Sequence, residues 1–211
     1  MVPALIYKAG AGSLRETEVT EPETRFWLAD GRRPGEHAVV MDEANAIGVV
    51  RRLEGNGVRC WVIGGWGVDA LEGRATRAHK DLDVFLALSE HALAWRLLHE
   101  DGFRLAYRWE ENVDLPGDFD AGSQPTAYVL QHADGREVDV HVLDDSTDPM
   151  TVLWNHQIEM VPGALDGTGT IGGTEVRCLS ARMQVVAHQG YDLPEAQRAD
   201  LERVERLLHL P

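Results

Sequence analysis

Between Cys60 and Leu88 the chain reads CWVIGGWGVDALEGRATRAHKDLDVFLAL, two apolar runs that enclose a pair of glycines and end in two aspartates one residue apart. The first run predicts a strand that exits into Gly64-Gly65, where the missing Cβ atoms let a backbone close on an anionic group. The second, Asp81-Leu82-Asp83-Val84-Phe85-Leu86, predicts a buried central strand. Alternate residues of a strand share a face, so the carboxylates of Asp81 and Asp83 project together. A bare D-x-D is more often a turn cap followed by a solvated residue. In an apolar strand, however, an acid is costly unless it meets a cation or hydrogen-bond donors. One or two carboxylates together with substrate phosphates are the ligand set that magnesium favours.

A third acid lies in Arg136-Glu137-Val138-Asp139-Val140-His141-Val142-Leu143. The valines take one face of this predicted strand and leave Glu137, Asp139 and His141 on the other. The preceding Thr126–His132 segment and the Asp134-Gly135 turn predict a hairpin. If this strand neighbours the one carrying Asp81 and Asp83, three carboxylates converge, and Asp139 becomes a third metal ligand or the base that takes a proton from a hydroxyl. Arg74, Arg77 and Lys80 cluster just before the D-x-D in an otherwise acidic chain, and phosphoryl transfer needs cations on the transferring oxygens. The alternative for these residues is ordinary solvated loop charge. His79, two positions before Asp81, reads as a phosphate contact or a hydrogen-bond partner of that aspartate, the second being the commoner arrangement.

These residues resemble the nucleotidyltransferase superfamily of the DNA polymerase β type. The likeness is closer still to its small antibiotic-modifying members, the lincosamide nucleotidyltransferases and the aminoglycoside 2''-adenylyltransferases. It is carried by Trp61–Leu71, by Thr76–Asp83, by Val138–His141 and by His188–Leu193, in family order over residues 41 to about 205. The resemblance implies an α+β fold: a polymerase β-like core with a mixed sheet flanked by helices and a helical C-terminal part, about 180–211. It implies AMP transfer from ATP, with Mg2+, to a hydroxyl of a small, cationic antibiotic, lincosamide first and aminoglycoside second, with release of pyrophosphate. Asp81, Asp83 and Asp139 would hold the metal and carry catalysis. Gly64, Gly65, Arg74, Arg77 and Lys80 would hold the nucleotide. Relatives often place a serine after the first glycine to help hold phosphate; here Gly65 stands there, and backbone amides must serve. A homodimer is compatible with the resemblance. Two other functions fit the same scaffold, a non-catalytic nucleotide or sugar sensor and a toxin-type enzyme that adenylylates a protein.

Competing chemistries are disfavoured by spacing. Gly65-Trp66-Gly67-Val68-Asp69-Ala70 matches the dinucleotide fingerprint G-x-G-x-x-G/A. Gly73, however, ends the following helix after about two turns, and the acids open the next strand instead of closing it. Nine histidines suggest zinc, yet they form no H-E-x-x-H, and the two cysteines form no C-x-x-C. Cys60 and Cys178 read as buried free thiols.

The formal charge is −15, of which residues 1–40 contribute −1 from five basic and six acidic residues. Such a surface repels nucleic-acid backbones and draws in a small cation. No run approaches the ~20 apolar residues of a membrane span, and no basic-then-apolar leader opens the chain, so a cytoplasmic protein is expected. Residues 1–40 carry three prolines and no sustained period, and read as an extension dispensable for catalysis; residues 41–211 form the nucleotidyltransferase domain. Asp42 caps a helix with Ile47, Val50 and Leu53 inward. Ser89 caps a helix that runs to Glu100, Ser180 caps another that runs to Gly190, and Pro194 opens a last helix with Leu201, Val204, Leu207 and Leu208 on one side. Residues 112–125 and Gly163–Gly173 read as loops. Trp109, Glu110 and Glu111 offer a stacking surface and carboxylates for a substrate amine, or else a packed indole and solvated glutamates.

Overall fold

The computed structural model describes residues 41–117, 119, 122–154, 158–188 and 195–209. The expectations for residues 1–40 and for Gln189–Pro194, Tyr191 and Asp192 among them, lie outside the described residues. Met41 is fully buried and donates its N–H to His79 O at 2.8 Å, anchoring the described chain at its first residue.

Helix α1 (Glu43–Glu54) begins where Asp42 accepts a hydrogen bond from Asn45 N–H at 2.7 Å, as its sequence predicts. Strand β1 (Cys60–Val62) leads into helix α2 (Gly64–Glu72), which Gly73 closes in the left-handed conformation at φ 73°. Strand β2 (Asp81–Ala87) and helix α3 (Leu88–Glu100) follow. Then come β3 (Arg104–Arg108), the small pair β4 (Leu115–Pro116) and β5 (Ser123–Gln124), and the hairpin β6 (Ala127–Gln131) and β7 (Glu137–Asp144). The chain continues through β8 (Thr151–Val152), β9 (Gly167–Ile171), β10 (Thr174–Cys178), α4 (Ala181–Ala187) and α5 (Glu195–Leu208).

The main sheet runs β3-β6-β7-β2-β1-β10-β9, with β8 also paired to β7. It is mixed: β2 lies parallel to β7 and β1 parallel to β10, while the other neighbours are antiparallel. Strand alternation sorts the side chains into two layers. Leu82, Val84 and Leu86 with Val138, Val140 and Val142 pack under α1 and α3. Phe85, Ala87, Leu143 and Trp61 pack on the opposite face with Met183 of α4. Cys60 and Cys178 are buried free thiols, as expected. Among the described residues no helix is long and apolar enough to cross a membrane.

Four local expectations change. Helix α3 starts at Leu88, and Ser89 is not its cap; the Asp145 carboxylate captures Ser89 N–H (3.1 Å) and its hydroxyl (2.6 Å) instead. Gly163–Gly173 is not a loop, because from Gly167 onward it enters the β9–β10 hairpin. Its glycines serve close approach: a Cβ at Gly169 would overlap Ala70 O of α2, and a Cβ at Gly167 would overlap Leu179 O. Within 112–125, two short strands pair at Leu115↔Gln124 and Pro116↔Ser123. In α5, Val204 is buried as predicted, but Leu208 is exposed and the acid Asp200 is fully buried.

Candidate active site

A cleft of about 500 Å³ opens on the α4 face of the sheet, above the C-terminal end of β1 and the first residues of β2. Its floor is set by register. Parallel pairing of β2 with β7 places Asp83 beside Asp139 and Asp81 beside Glu137, and adjacent strands lie about 4.8 Å apart. Parity then turns Asp81, Asp83 and Asp139 into the cleft while Leu82 and Val138 enter the core.

The glycines close the floor from above. Gly64 has φ +57°, and a Cβ there would overlap Asp83 Oδ2. A Cβ at Gly65 would overlap Arg77 Nη2 and fall 2.7 Å from His79 Nδ1. Only residues without side chains allow the first turn of α2 to meet the D-x-D and the preceding loop at this distance. No side chain caps that turn, so the positive end of the helix faces the cleft.

The electrostatics are those of carboxylates crowded together. Burial, followed by the charges of Asp81 and Asp139, pushes Asp83 well above the ordinary carboxylate range. Burial raises Asp81 as well, with Glu137 adding to the effect and Lys80 opposing it. Asp139 is pushed up to about 6, chiefly by burial, against the pull of His141 and the hydrogen bond from Trp109. Trp109 Nε1–H donates to both oxygens of Asp139, at 2.9 and 3.1 Å, and His141 stands between Asp139 (3.4 Å) and Glu111 (3.6 Å). Trp109 is thus neither simple core packing nor a bare stacking surface: it aims the third acid.

Clustered carboxylates whose ionisation is resisted in the free protein suit a hard divalent cation, which removes that resistance. Among the described residues no three His, Cys, Asp or Glu side chains form a finished metal cage by themselves. Asp81 and Asp83 could supply two carboxylates to a cation that takes its remaining ligands from substrate phosphates and water.

The basic residues divide. Arg77 lines the cleft, held by the fully buried Asp200 of α5 (Nη2–Oδ2 2.8 Å), which also binds Arg203 at 2.6 Å. Arg74 is 72% exposed, lies 3.8 Å from Glu72 and stands outside the cleft lining. Lys80 pairs with Glu137 at 2.8 Å and is likewise outside it. His79 does bond an aspartate, but Asp69 and not Asp81: its Nε2 lies 2.6 Å from Asp69 Oδ2. Burial pushes Asp69 up, yet the hydrogen bonds from His79 and Thr76 outweigh it and hold the carboxyl below its usual value. His79 also packs on the Trp66 ring, centroids 4.3 Å apart, which pins the basic loop to α2. Asp69, Asp200 and Gln184 were invisible to sequence reasoning, because each gains its meaning from a partner on another element.

Comparison with known proteins follows the same outline. A sequence model of the aminoglycoside-2''-adenylyltransferases matches residues 46–204. A lincosamide resistance protein of Staphylococcus haemolyticus is 23% identical over 152 residues, which cover 71% of this chain and 86% of the other. The lincomycin-bound lincosamide antibiotic adenylyltransferase LnuA has the same fold, with a TM-score of 0.62 and 22% identity over 78% of this chain and 96% of its own. ANT(2'')-Ia in complex with adenylyl-2''-tobramycin gives a TM-score of 0.61 at 17% identity, over 79% of this chain and 88% of its own.

Proposed function

This chain belongs to the aminoglycoside-2''-adenylyltransferase family, and on that premise we propose that it transfers AMP from ATP to a hydroxyl of a small cationic antibiotic, a lincosamide first and an aminoglycoside second. The observation that carries the reading is the pairing of Asp83 with Asp139 across β2 and β7, directly under Gly64. Magnesium, held by Asp81 and Asp83 with Asp139 beside them, would supply neutralising charge to the phosphates. The amides at the start of α2 and the Arg77 guanidinium hold phosphate oxygens. Asp139, fixed by Trp109, accepts the proton of the acceptor hydroxyl. The hydroxyl oxygen then bonds to the α-phosphorus, the bond from that phosphorus to the bridging oxygen breaks, and pyrophosphate leaves with the electron pair. Glu111 and the surrounding acids favour an acceptor that carries an ammonium group.

The lincosamide-first order is supported by the resemblance to the Staphylococcus haemolyticus resistance protein, which spans most of both chains. The charge of −15 argues against nucleic acid as acceptor. In this reading the enzyme draws on ATP in the cytoplasm, residues 1–40 are dispensable for catalysis, and a homodimer is compatible with the family.

Pyrophosphate release with clindamycin, with kanamycin and with no acceptor tests the proposal. Release dependent on a small antibiotic is expected, and it should vanish in Asp81→Asn and Asp83→Asn with the fold intact. A sensor releases none, and a protein-modifying toxin releases it only with a macromolecular acceptor. Near-normal turnover in either variant overturns the metal assignment.

A further inference from the structure

Gln184 is the buried polar group that the reaction above leaves unused. It lies on α4 with 0% exposure, borders the cleft, and has no hydrogen-bond partner for either Nε2 or Oε1 among the described residues. Buried side-chain amides are almost always paired, and an orphaned donor and acceptor together are a standing cost. The amide rests against α2, where a Cβ at Gly67 would overlap both Gln184 Nε2 and the Val62 carbonyl oxygen, so the close approach of α2 to β1 and to the amide both call for glycine. A buried amide at the cleft with both ends unsatisfied points to a ligand that supplies an acceptor and a donor side by side.

The sheet order says which ligand. Asp139 stands on β7, the D-x-D on β2, Gly64 after β1, and Leu179 and Gln184 beyond β10. The acceptor hydroxyl must approach from the β7 side, where its proton is taken. The leaving pyrophosphate belongs with Arg77 and the start of α2. The nucleoside on the same α-phosphorus is left the β1–β10 side, where Ile63, Leu179 and Ala187 give the cleft an uncharged, apolar wall with Gln184 set into it. A flat heterocycle fits that wall, whereas a cationic antibiotic is drawn to the acidic one.

We propose that Gln184 reads the base of the donor nucleotide. Its Oε1 accepts from the exocyclic amine of adenine and its Nε2 donates to the adjacent ring nitrogen, so that ATP is chosen over GTP. Adenine offers a donor beside an acceptor on the edge bearing N6 and N7; guanine offers two acceptors there and leaves Oε1 unpaired. The inference rests on the nucleotidyl-transfer reading of the same cleft.

Gln184→Met and Gln184→Leu test it, since both fill the space without the amide. The expected result has three parts. The melting temperature without nucleotide stays level or rises, because the orphaned amide is gone. The KM for ATP rises, with a roughly tenfold to hundredfold fall in the ATP:GTP ratio of kcat/KM. The KM for the antibiotic stays put. Any one of four results overturns the proposal: unchanged base selectivity in Gln184→Met, a shift confined to the antibiotic KM, a wild type that does not distinguish ATP from GTP, or a nucleotide-free melting temperature well below wild type in both variants, which would make the amide structural. If wild type releases no pyrophosphate with any nucleotide and acceptor, the transfer reading fails instead. Calorimetric titration of the wild type and Gln184→Met with ATP and GTP then decides the role of Gln184 separately.

Discussion

Replacing Asp139 by asparagine should make the metal-free protein more stable while it abolishes turnover. In the fold, ionising Asp139 is resisted: its pKa is pushed up to about 6 from an ordinary 3.8, with burial the main cause. That difference corresponds to roughly 3 kcal/mol carried against the folded state at pH 8. The sign follows from linkage. A carboxyl whose folded pKa is raised contributes its stability below the ordinary carboxylate range and loses it as pH rises through about 6. Asparagine resembles the neutral acid and still offers an oxygen to Trp109, so the gain at pH 8 should approach ~3 kcal/mol, or about 5–10 °C in melting temperature for a chain of this size. At pH 5 the gain should fall to about half, roughly 1.6 kcal/mol. His91, fully buried and held down to about 3 by burial, acts in the opposite sense in the same window, because it must stay neutral in the fold. The informative quantity is therefore the difference between variant and wild type at each pH, in which His91 cancels. The assay is thermal unfolding in EDTA at pH 5, 6, 7 and 8. A variant that melts below wild type at pH 8, or whose gain is as large at pH 5, would refute the account of the site as a cluster of resisted charges.

Three other perturbations follow from the geometry. Trp109→Phe removes the donor to both Asp139 oxygens, and should lower kcat about tenfold with little change in melting temperature; steady-state kinetics over pH 6–9 would also show the activity moved to higher pH. Gly64→Ala adds a Cβ at φ +57° that overlaps Asp83 Oδ2, so turnover should fall at least a hundredfold and stability by about 1–2 kcal/mol, read by activity and by denaturant unfolding. Asp200→Ala leaves Arg77 and Arg203 without their buried partner and should cost on the order of 3 kcal/mol, with a higher KM for ATP but not for the antibiotic; a variant as stable as wild type would contradict the ion-pair assignment.

Parity was the part of the site most readable from residues alone. The alternation in Asp81–Phe85 and Val138–Val142 already places each acid opposite the core, because a strand has a side-chain period of two whatever its neighbours do. Helix α1 was equally legible, since its cap lies within three residues of the N–H that it serves. What alternation does not carry is adjacency. That β7 lies parallel beside β2 depends on the crossover through α3, β3 and β6, and no local pattern encodes it. Ser89 misled for the same reason: its rival for the start of α3, Asp145, is 56 positions away. The glycines of β9 looked like a loop because their use is to let α2 settle on the strand, a contact between elements almost a hundred residues apart. Arg74, Arg77 and Lys80 are alike in the sequence, and only the buried acid of α5 singles out Arg77.

The two halves of the cleft are built on different kinds of support. The acids and glycines stand on the interior strands β1, β2 and β7, where a shift by one position would send every carboxylate into the hydrophobic layer. Trp109 and Glu111 stand instead on the segment that leaves the edge strand β3, followed by an excursion to β6 whose described residues pair at Leu115↔Gln124 and Pro116↔Ser123. Changes of length or composition in that excursion leave the chemistry untouched while they reshape what is admitted to it. Trp109 joins the two halves, since its indole reaches from the rim to the third acid, so a change there acts on the chemistry and a change beyond Glu111 acts on access alone.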